Sequence, residues 1–384
     1  MHHRFLAVAV AVLLVAGLSS AAALGGREAA SGAAPVRPRT EPANLAPVEA
    51  AAATAVPPAP AEAPKTVAPP PVPHPSGPVP LAGCPPPPPP PGPQPPPPWH
   101  PAVLVPEAAL PGPVPATART ASLDALAGKG MWLWKFNATE KGDADAIVTK
   151  ADAAGLRQLW VRVGDSQDGF YAAGVLDQLV GRAHERGIAV IGWGFPYLYD
   201  PVADASWTAA ALAWRGPHGE RLDGFSPDLE TASEGVMVTA RRLQVYLGQV
   251  AQATPDRPLI ATVFRPTDRF WASYPYQAIA PYVDGFAPMV YWGCTEPGAA
   301  AAEAISRLAA LRPVHLIGQA YNMADEGGRR VAPSADETWR FLDVARSGGA
   351  VGASFWDWQE ISQEEWTAMS QFAWPVYERS RGRF

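Results

Sequence analysis

Leu222-Asp223-Gly224-Phe225-Ser226-Pro227-Asp228-Leu229-Glu230-Thr231 reads as an apolar-flanked strand that ends in two carboxylates two residues apart. Side chains alternate between the faces of a strand, so Asp228 and Glu230 point the same way, with Cα atoms roughly 6.6 Å apart at about 3.3 Å per residue. Two acids on one face repel. The drier of the two is then driven to keep its proton, which is how a site obtains a general acid near neutral pH. An arbitrary Asp-x-Glu is more often a pair of solvated loop acids; its strand-like, apolar setting sets this one apart.

Working outward, apolar strand-like runs alternate with amphipathic helical runs. Expected strands cover 130–136, 156–163, 188–195, 224–230, 258–264, 285–292, 314–321 and 351–358. Helical patterns, with apolar residues three and four apart, cover 144–154, 175–186, 236–253, 300–311 and 336–347. Gly155, Gly187 and Gly349 stand where helices stop before the next strand. Alternation of this kind implies parallel pairing, and eight units imply closure. The expected fold class is therefore α/β, a (β/α)8 TIM barrel spanning 126–384. The strand-four entry recurs at the sixth strand, where Val283-Asp284-Gly285-Phe286-Ala287-Pro288 repeats the Asp-Gly-Phe step. Its simplest reading is one loop-to-strand turn used twice. Residues at the C-terminal ends of barrel strands line the site, so Asp228 and Glu230 belong to the mouth, together with Met289, Tyr291 and Trp292.

The N-terminal third has a different character. Met1-His2-His3-Arg4 precedes an apolar run from Phe5 to Leu18 and small residues through Ala23, the pattern of a secretory signal peptide over 1–24. If it is not removed, the run is long enough to anchor the chain in a membrane. Between 25 and 125 the composition turns to Ala and Pro, and 32 of the 46 prolines precede residue 117. With no apolar periodicity, this stretch is expected to be a disordered linker that the barrel does not need in order to fold. The net charge of −6 gives no basic footprint, so nucleic acid is not an expected partner. Cys84 and Cys294 have no metal-ligand spacing, and a disulfide between them is disfavoured because one lies in the expected linker.

The barrel motifs resemble glycoside hydrolase family 18, the chitinase-like barrels, and more loosely the family 25 lysozymes. The family's Asp-Gly-x-Asp-x-Asp-x-Glu reads here Asp223-Gly224-Phe225-Ser226-Pro227-Asp228-Leu229-Glu230, with Ser226 in place of the middle Asp. Its Met-x-Tyr-Asp looks like Met289-Val290-Tyr291-Trp292, with Trp in place of Asp, and its strand-eight Trp has a counterpart in Trp356. The resemblance implies that Glu230 protonates the glycosidic oxygen while the substrate's own N-acetyl group attacks the anomeric carbon. Asp228 and Tyr291 would hold that group. Ser226 can form hydrogen bonds but cannot carry the charge of the acid it replaces.

Trp132, Trp134, Trp160, Trp193, Trp292, Trp356 and Trp358 fall in or at the ends of expected strands. Indole faces stack on sugars and also fill barrels; Trp356, Trp358 and Trp292, last on their strands, are the expected sugar platforms. Among the polar groups at strand ends, Arg265, Gln319 and Asp357 are taken as substrate contacts beside Met289, while Lys135, Arg162, Asp165 and Tyr321 serve equally as rim or ion-pair residues. His184 has no His partner four residues away and is read as a surface residue. No Gly-x-Ser-x-Gly elbow or phosphate loop occurs in the barrel, so neither a metal nor a nucleotide cofactor is expected. The leading reading is an exported, monomeric glycoside hydrolase acting on a cell-wall or extracellular polysaccharide. The alternatives are a non-catalytic carbohydrate-binding barrel of the cell envelope and an envelope protein whose barrel mouth binds a partner protein.

Overall fold

Eight parallel strands follow one another around a barrel: β1 (Gly128–Leu133), β2 (Leu156–Asp165), β3 (Ala189–Phe195), β4 (Gly224–Pro227), β5 (Ile260–Phe264), β6 (Gly285–Val290), β7 (His315–Gln319) and β8 (Gly352–Trp356). This computed structural model describes residues 74–85, 104–116, 119, 121–326 and 328–375, all in the unit that includes Pro73–Phe384. The ladder order is β4-β3-β2-β1-β8-β7-β6-β5. Isolated parallel bridges Phe225↔Leu259 and Asp228↔Thr262 close the ring between β4 and β5. The expected TIM barrel is therefore the fold. A two-residue strand, Gly169–Phe170, adds an antiparallel edge to β2.

The helices are α1 (Ala144–Ala153), α2 (Ala173–Glu185), α3 (Pro201–Ala213), α4 (Ala240–Ala253), the short α5 (Asp268–Ser273) and α6 (Tyr276–Ile279), α7 (Pro297–Leu308), α8 (Ala335–Ser347) and α9 (Gln363–Gln371). The starts of α1, α3, α4, α8 and α9 are set by side chains that accept first-turn N–H groups: Asp143, Asp200, Thr239, Ser334 and Ser362. Thr239 is why α4 begins later than the apolar pattern from 236 suggests. Gly155, Gly187 and Gly349 have φ of +65°, +66° and +84°, the left-handed stops expected of them.

The repeated Asp-Gly-Phe step does one job twice. Asp223 Oδ2 accepts the Val190 N–H at 2.7 Å, and Asp284 Oδ2 accepts the Leu259 N–H at 2.8 Å. Each Asp N–H in turn donates to the carbonyl of the same partner. A Cβ on Gly224 would lie 3.0 Å from the Pro258 carbonyl, and one on Gly285 would lie 2.9 Å from that of Pro313. Both glycines therefore let a neighbouring strand approach, and Phe225 and Phe286 pack outward against Trp207 and Tyr276. His184, expected on the surface, is drawn into the first of these turns by an ion pair with Asp223 at 2.8 Å.

Part of the expected linker is ordered against the barrel. Arg119 donates to the Asp284 carboxylate at 2.7 Å and to the carbonyls of Ala251, Thr254 and Arg257. Val105 pairs with Tyr199 through its N–H, Leu110 and Val79 are buried, and His74 stacks on Trp339 at 4.2 Å. Cys84 and Cys294, whose pairing the sequence allowed but disfavoured, form a disulfide with a Cα–Cα distance of 5.7 Å. Within the stretch expected to be a linker, 25–125, the described residues 74–85, 104–116 and 119 make these contacts. Scattered Val, Leu, Arg and Cys side chains do there what periodicity does elsewhere: each fills or pairs with one site on a surface that is already folded. The expected signal segment, 1–24, lies outside the described residues.

Candidate active site

Glu230 is reached from β4 through a short irregular stretch held at both sides. The Asp228 N–H donates to the Gly194 carbonyl of β3, and the Leu229 N–H to Thr262 of β5. Leu229 itself is buried on the outer face, and its carbonyl accepts the Tyr274 hydroxyl at 2.6 Å. Thr231 then caps a 3-10 turn, Ala232–Glu234, whose Glu234 carboxylate accepts the Thr231 N–H at 3.2 Å. With the backbone fixed before, between and after them, Ser226, Asp228 and Glu230 all face the barrel interior, as strand alternation requires.

A cavity of about 150 Å³ opens at the C-terminal ends of the strands, with Asp228 and Glu230 in its wall. Both are nearly buried, at 6% and 3% exposure. Oδ1 of Asp228 has no hydrogen-bond partner among the described residues. Burial raises the Asp228 pKa to about 7, opposed by the positive charge of Arg162 and helped by Glu234. Burial also drives Glu230 well above the carboxylate range, and the negative charges of Asp228, Glu234 and Glu326 add to it. Two acids this close and this dry titrate as a unit, and burial with mutual repulsion keeps a proton on the pair above the usual carboxylate range. Tyr291, also in the wall, is held as a neutral phenol by burial.

Ser226, where the chitinase-like motif has an acid, is fully buried beneath Asp228. Its hydroxyl lies 2.6 Å from the Ile260 carbonyl and 2.8 Å from Thr262 Oγ1. Both contacts tie it to β5, so it closes the barrel seam rather than reaching toward Asp228.

Of the residues singled out in the sequence, Asp228, Glu230, Tyr291, Met289, Arg265 and Trp356 line the cavity. Arg265 sits 3.6 Å from Glu303, with no hydrogen bond at Nε or Nη1 among the described residues, and burial lowers its pKa. Four expected contacts lie elsewhere. Trp292 is turned to the outer face, where its N–H donates to Glu337 at 3.0 Å and its ring packs on Phe341. Met289 and Tyr291 share one face, so strand alternation forces their neighbour away from it. Trp358 likewise turns from the cavity to pack on Trp366, with its N–H on Glu140 at 3.1 Å. Gln319 is fully buried as a brace, accepting from Gly293 N–H and donating to the Tyr321 carbonyl, both at 2.8 Å. Asp357 is 1% exposed and accepts the Glu360 N–H at 3.1 Å, so it caps the turn after β8.

Of the remaining tryptophans, Trp132, Trp160 and Trp193 stack inside the barrel. Trp132 lies 4.8 Å from Trp160 and 5.4 Å from Trp193. Trp132 and Trp134 join Trp356 in the cavity wall, with Trp356 5.8 Å from Trp132 and 5.3 Å from Trp193. Asp165 is engaged by Arg162 at 2.9 Å and by two backbone N–H groups of the following turn. The sequence reading missed Glu234, Glu326 and Glu360, together with Thr262, Thr267, Phe264 and Phe270. Phe264 ends β5 and was legible from its position; the three glutamates lie in irregular loops where no period marks a face.

A cavity with an aromatic floor, a proton-holding carboxyl and a second acid beside it can bind a carbohydrate ring and protonate an oxygen on it. No family model and no curated protein matches the chain. Among solved structures, the barrel is similar to the spore cortex-lytic enzyme SleL of Bacillus megaterium (TM-score 0.45, 10% identity, 64% of this chain and 73% of that one). It is similar also to a class V chitinase mutant of Cycas revoluta in complex with (GlcNAc)3 (0.47, 12%, 64% and 99%). A third is a chitinase from Chromobacterium violaceum (0.48, 12%, 64% and 98%). With every one of these TM-scores below 0.5, the fold rests on the strand order above and the chemistry on the residues.

Proposed function

We propose that this protein is an exported glycoside hydrolase of the chitinase-like type, acting on a cell-wall or extracellular polysaccharide. The observation that carries the reading is the buried pair itself: Asp228 and Glu230, 6% and 3% exposed, share the wall of a cavity lined by Trp132, Trp134 and Trp356, a setting in which burial and the neighbouring negative charges favour the protonated form of Glu230. Glu230 is the general acid that protonates the glycosidic oxygen. Asp228 supplies the negative charge facing the cation that forms as the bond breaks, with Tyr291 beside it to hold a substrate polar group. Trp356 and Trp134 provide the ring-stacking faces. The disulfide of Cys84 with Cys294 suits an oxidising compartment and supports export, in keeping with the signal-like start of the chain.

Glu230→Gln preserves shape and hydrogen-bonding capacity but removes the proton donor. Turnover of chitin oligosaccharides or peptidoglycan glycan is expected to fall by about 10²- to 10⁴-fold with binding retained. Hydrolysis that survives this change undiminished refutes the assignment. One observation favours a second reading, a carbohydrate-binding barrel: the Ser226 hydroxyl is committed to β5, so Asp228 lacks the acidic neighbour with which the chitinase-like motif cycles charge. That reading predicts wild-type binding without turnover.

A further inference from the structure

We infer that the segment ending at Cys84 is a working part of the cavity wall: bonded to Cys294, it positions the loop that carries Tyr321 and Glu326 into the cavity. Only the catalytic arm of its test rests on the glycoside hydrolase reading above.

Among its described residues, the loop between β7 and α8 has little regular structure, a single 3-10 turn at Ala324–Glu326. Ordering such a stretch costs backbone entropy that something outside it must offset. Its base is a closed turn in which Met323 N–H donates to the Arg329 carbonyl at 2.8 Å and Gly328 N–H to the Met323 carbonyl at 2.9 Å. The Cys84 segment grips that base from outside. Arg329 Nε donates to the Ala82 carbonyl at 2.6 Å, Arg330 N–H donates to the Gly83 carbonyl at 3.2 Å, and Val331 lies against Gly83. The disulfide then fixes the segment to Cys294, in the loop that follows β6.

From there the network runs inward. Gly293, next to Cys294, donates to Gln319, and Gln319 donates to the Tyr321 carbonyl. Arg329 pairs with buried Glu337, which also accepts the Trp292 N–H. The inner face of the assembly is Tyr321, edge-on to Tyr291 at 5.6 Å, with its hydroxyl donating to Glu326 at 3.2 Å. Tyr321 and Glu326 are thus cavity residues whose placement is set by a segment remote in sequence, and Cys84, Ala82 and Gly83 are positioning residues.

Glu326 gives this a signature that a purely structural role lacks. The charged groups around the acid pair are Glu234 from the turn after β4, Glu326 from this loop and Arg162 from β2, with Arg265 and Glu360 in the same cavity wall; Tyr274 and Tyr291 face it as neutral phenols. Withdrawing Glu326 removes a negative charge that helps hold the Glu230 proton. The alkaline limb of the rate profile should therefore move to lower pH.

The test compares the full-length wild type with the full-length Cys84→Ser/Cys294→Ser variant by hydrogen exchange. Amides of Met323, Gly328 and Arg330 are expected to exchange about tenfold faster or more, with the barrel strands unchanged. On chitin oligosaccharides, KM should rise by roughly three- to tenfold with a smaller change in kcat, and the alkaline limb should shift down. Gly83→Ala is a second variant that leaves the disulfide chemistry intact: its Cβ would lie 2.8 Å from Val331, at a φ of +73°. It should show the same effects in weaker form. Unchanged exchange at 321–331 in a folded variant overturns the inference, and so does faster exchange with unaltered KM and pH profile. A wild type that turns over no glycan counts against the proposed function alone; exchange, with the affinity for the same oligosaccharides in place of KM, then decides this inference.

Discussion

Two buried polar clusters share one barrel and differ in the charge they bury. In the lower interior His315, pulled down to a pKa of about 3 by burial, is a neutral ring with one donor and one acceptor. Nδ1 donates to the Leu126 carbonyl at 3.0 Å, Nε2 accepts from Ser354 Oγ at 3.0 Å, and Ser354 accepts the Trp132 N–H at 2.9 Å. Nearby, Lys129 is buried yet donates to the carbonyls of Ala154 and Met369, at the ends of α1 and α9. Gln158 Oε1 and Trp160 Nε1 are the exceptions there. At the mouth, Asp228 and Glu230 are 6% and 3% exposed against 1% for His315, Oδ1 of Asp228 has no hydrogen-bond partner among the described residues, and the two acids lie side by side. Each cluster keeps an unpaired atom, so the difference lies in charge: the neutral His315 ring and its partners tie strands together, while two like acids forced together at the mouth cost stability that hydrogen bonds do not offset.

The largest way to break this comparison is catalytic: the Glu230→Gln loss proposed above corresponds to roughly 3–5 kcal/mol of transition-state stabilisation. Next, Ser354→Ala in the lower cluster leaves the Trp132 N–H and His315 Nε2 without partners. It should destabilise the protein by about 2–3 kcal/mol in denaturant unfolding, equally at pH 5 and pH 8. An effect below about 0.5 kcal/mol would show that the lower cluster is not the supporting one.

The smallest effect has the opposite sign. The folded pKa of Asp228 lies above its unfolded value. Its contribution is therefore fully present below the unfolded pKa near 4 and is lost as pH rises through about 7. Asp228→Asn should consequently stabilise the protein at pH 8, by about 1–3 kcal/mol, and change it little at pH 4. A variant that is less stable than wild type at pH 8 would place Asp228 with the supporting groups instead.

What was legible in the sequence divides along similar lines. The eight strands, their helices and the inward face of Asp228 and Glu230 follow from periodicity and from glycine at left-handed positions such as Gly155 and Gly187. Alternation applied more strictly would have removed Trp292, since Met289 and Tyr291 already claimed the inner face. Past the last ladder bond, period two lapses: Trp358 and Asp357 follow the turn after β8, and neither side could be foretold. Glu326 and the ordered parts of the proline-rich region were illegible for a related reason. Their positions come from single long-range contacts, such as Arg119 with Asp284 and Cys84 with Cys294, which leave no repeating mark in the chain.

The central claim is that Glu230 keeps its proton in the folded protein at a pH where ordinary carboxyls have lost theirs. Side-chain carboxyl carbon NMR on protein labelled at glutamate measures this directly, with the Glu230 signal assigned by its absence in Glu230→Gln. We expect the resonance at its protonated position at pH 6, titrating only well above the usual carboxylate range. A Glu230 signal that titrates near pH 4 to 5, as a solvated glutamate does, would contradict the account.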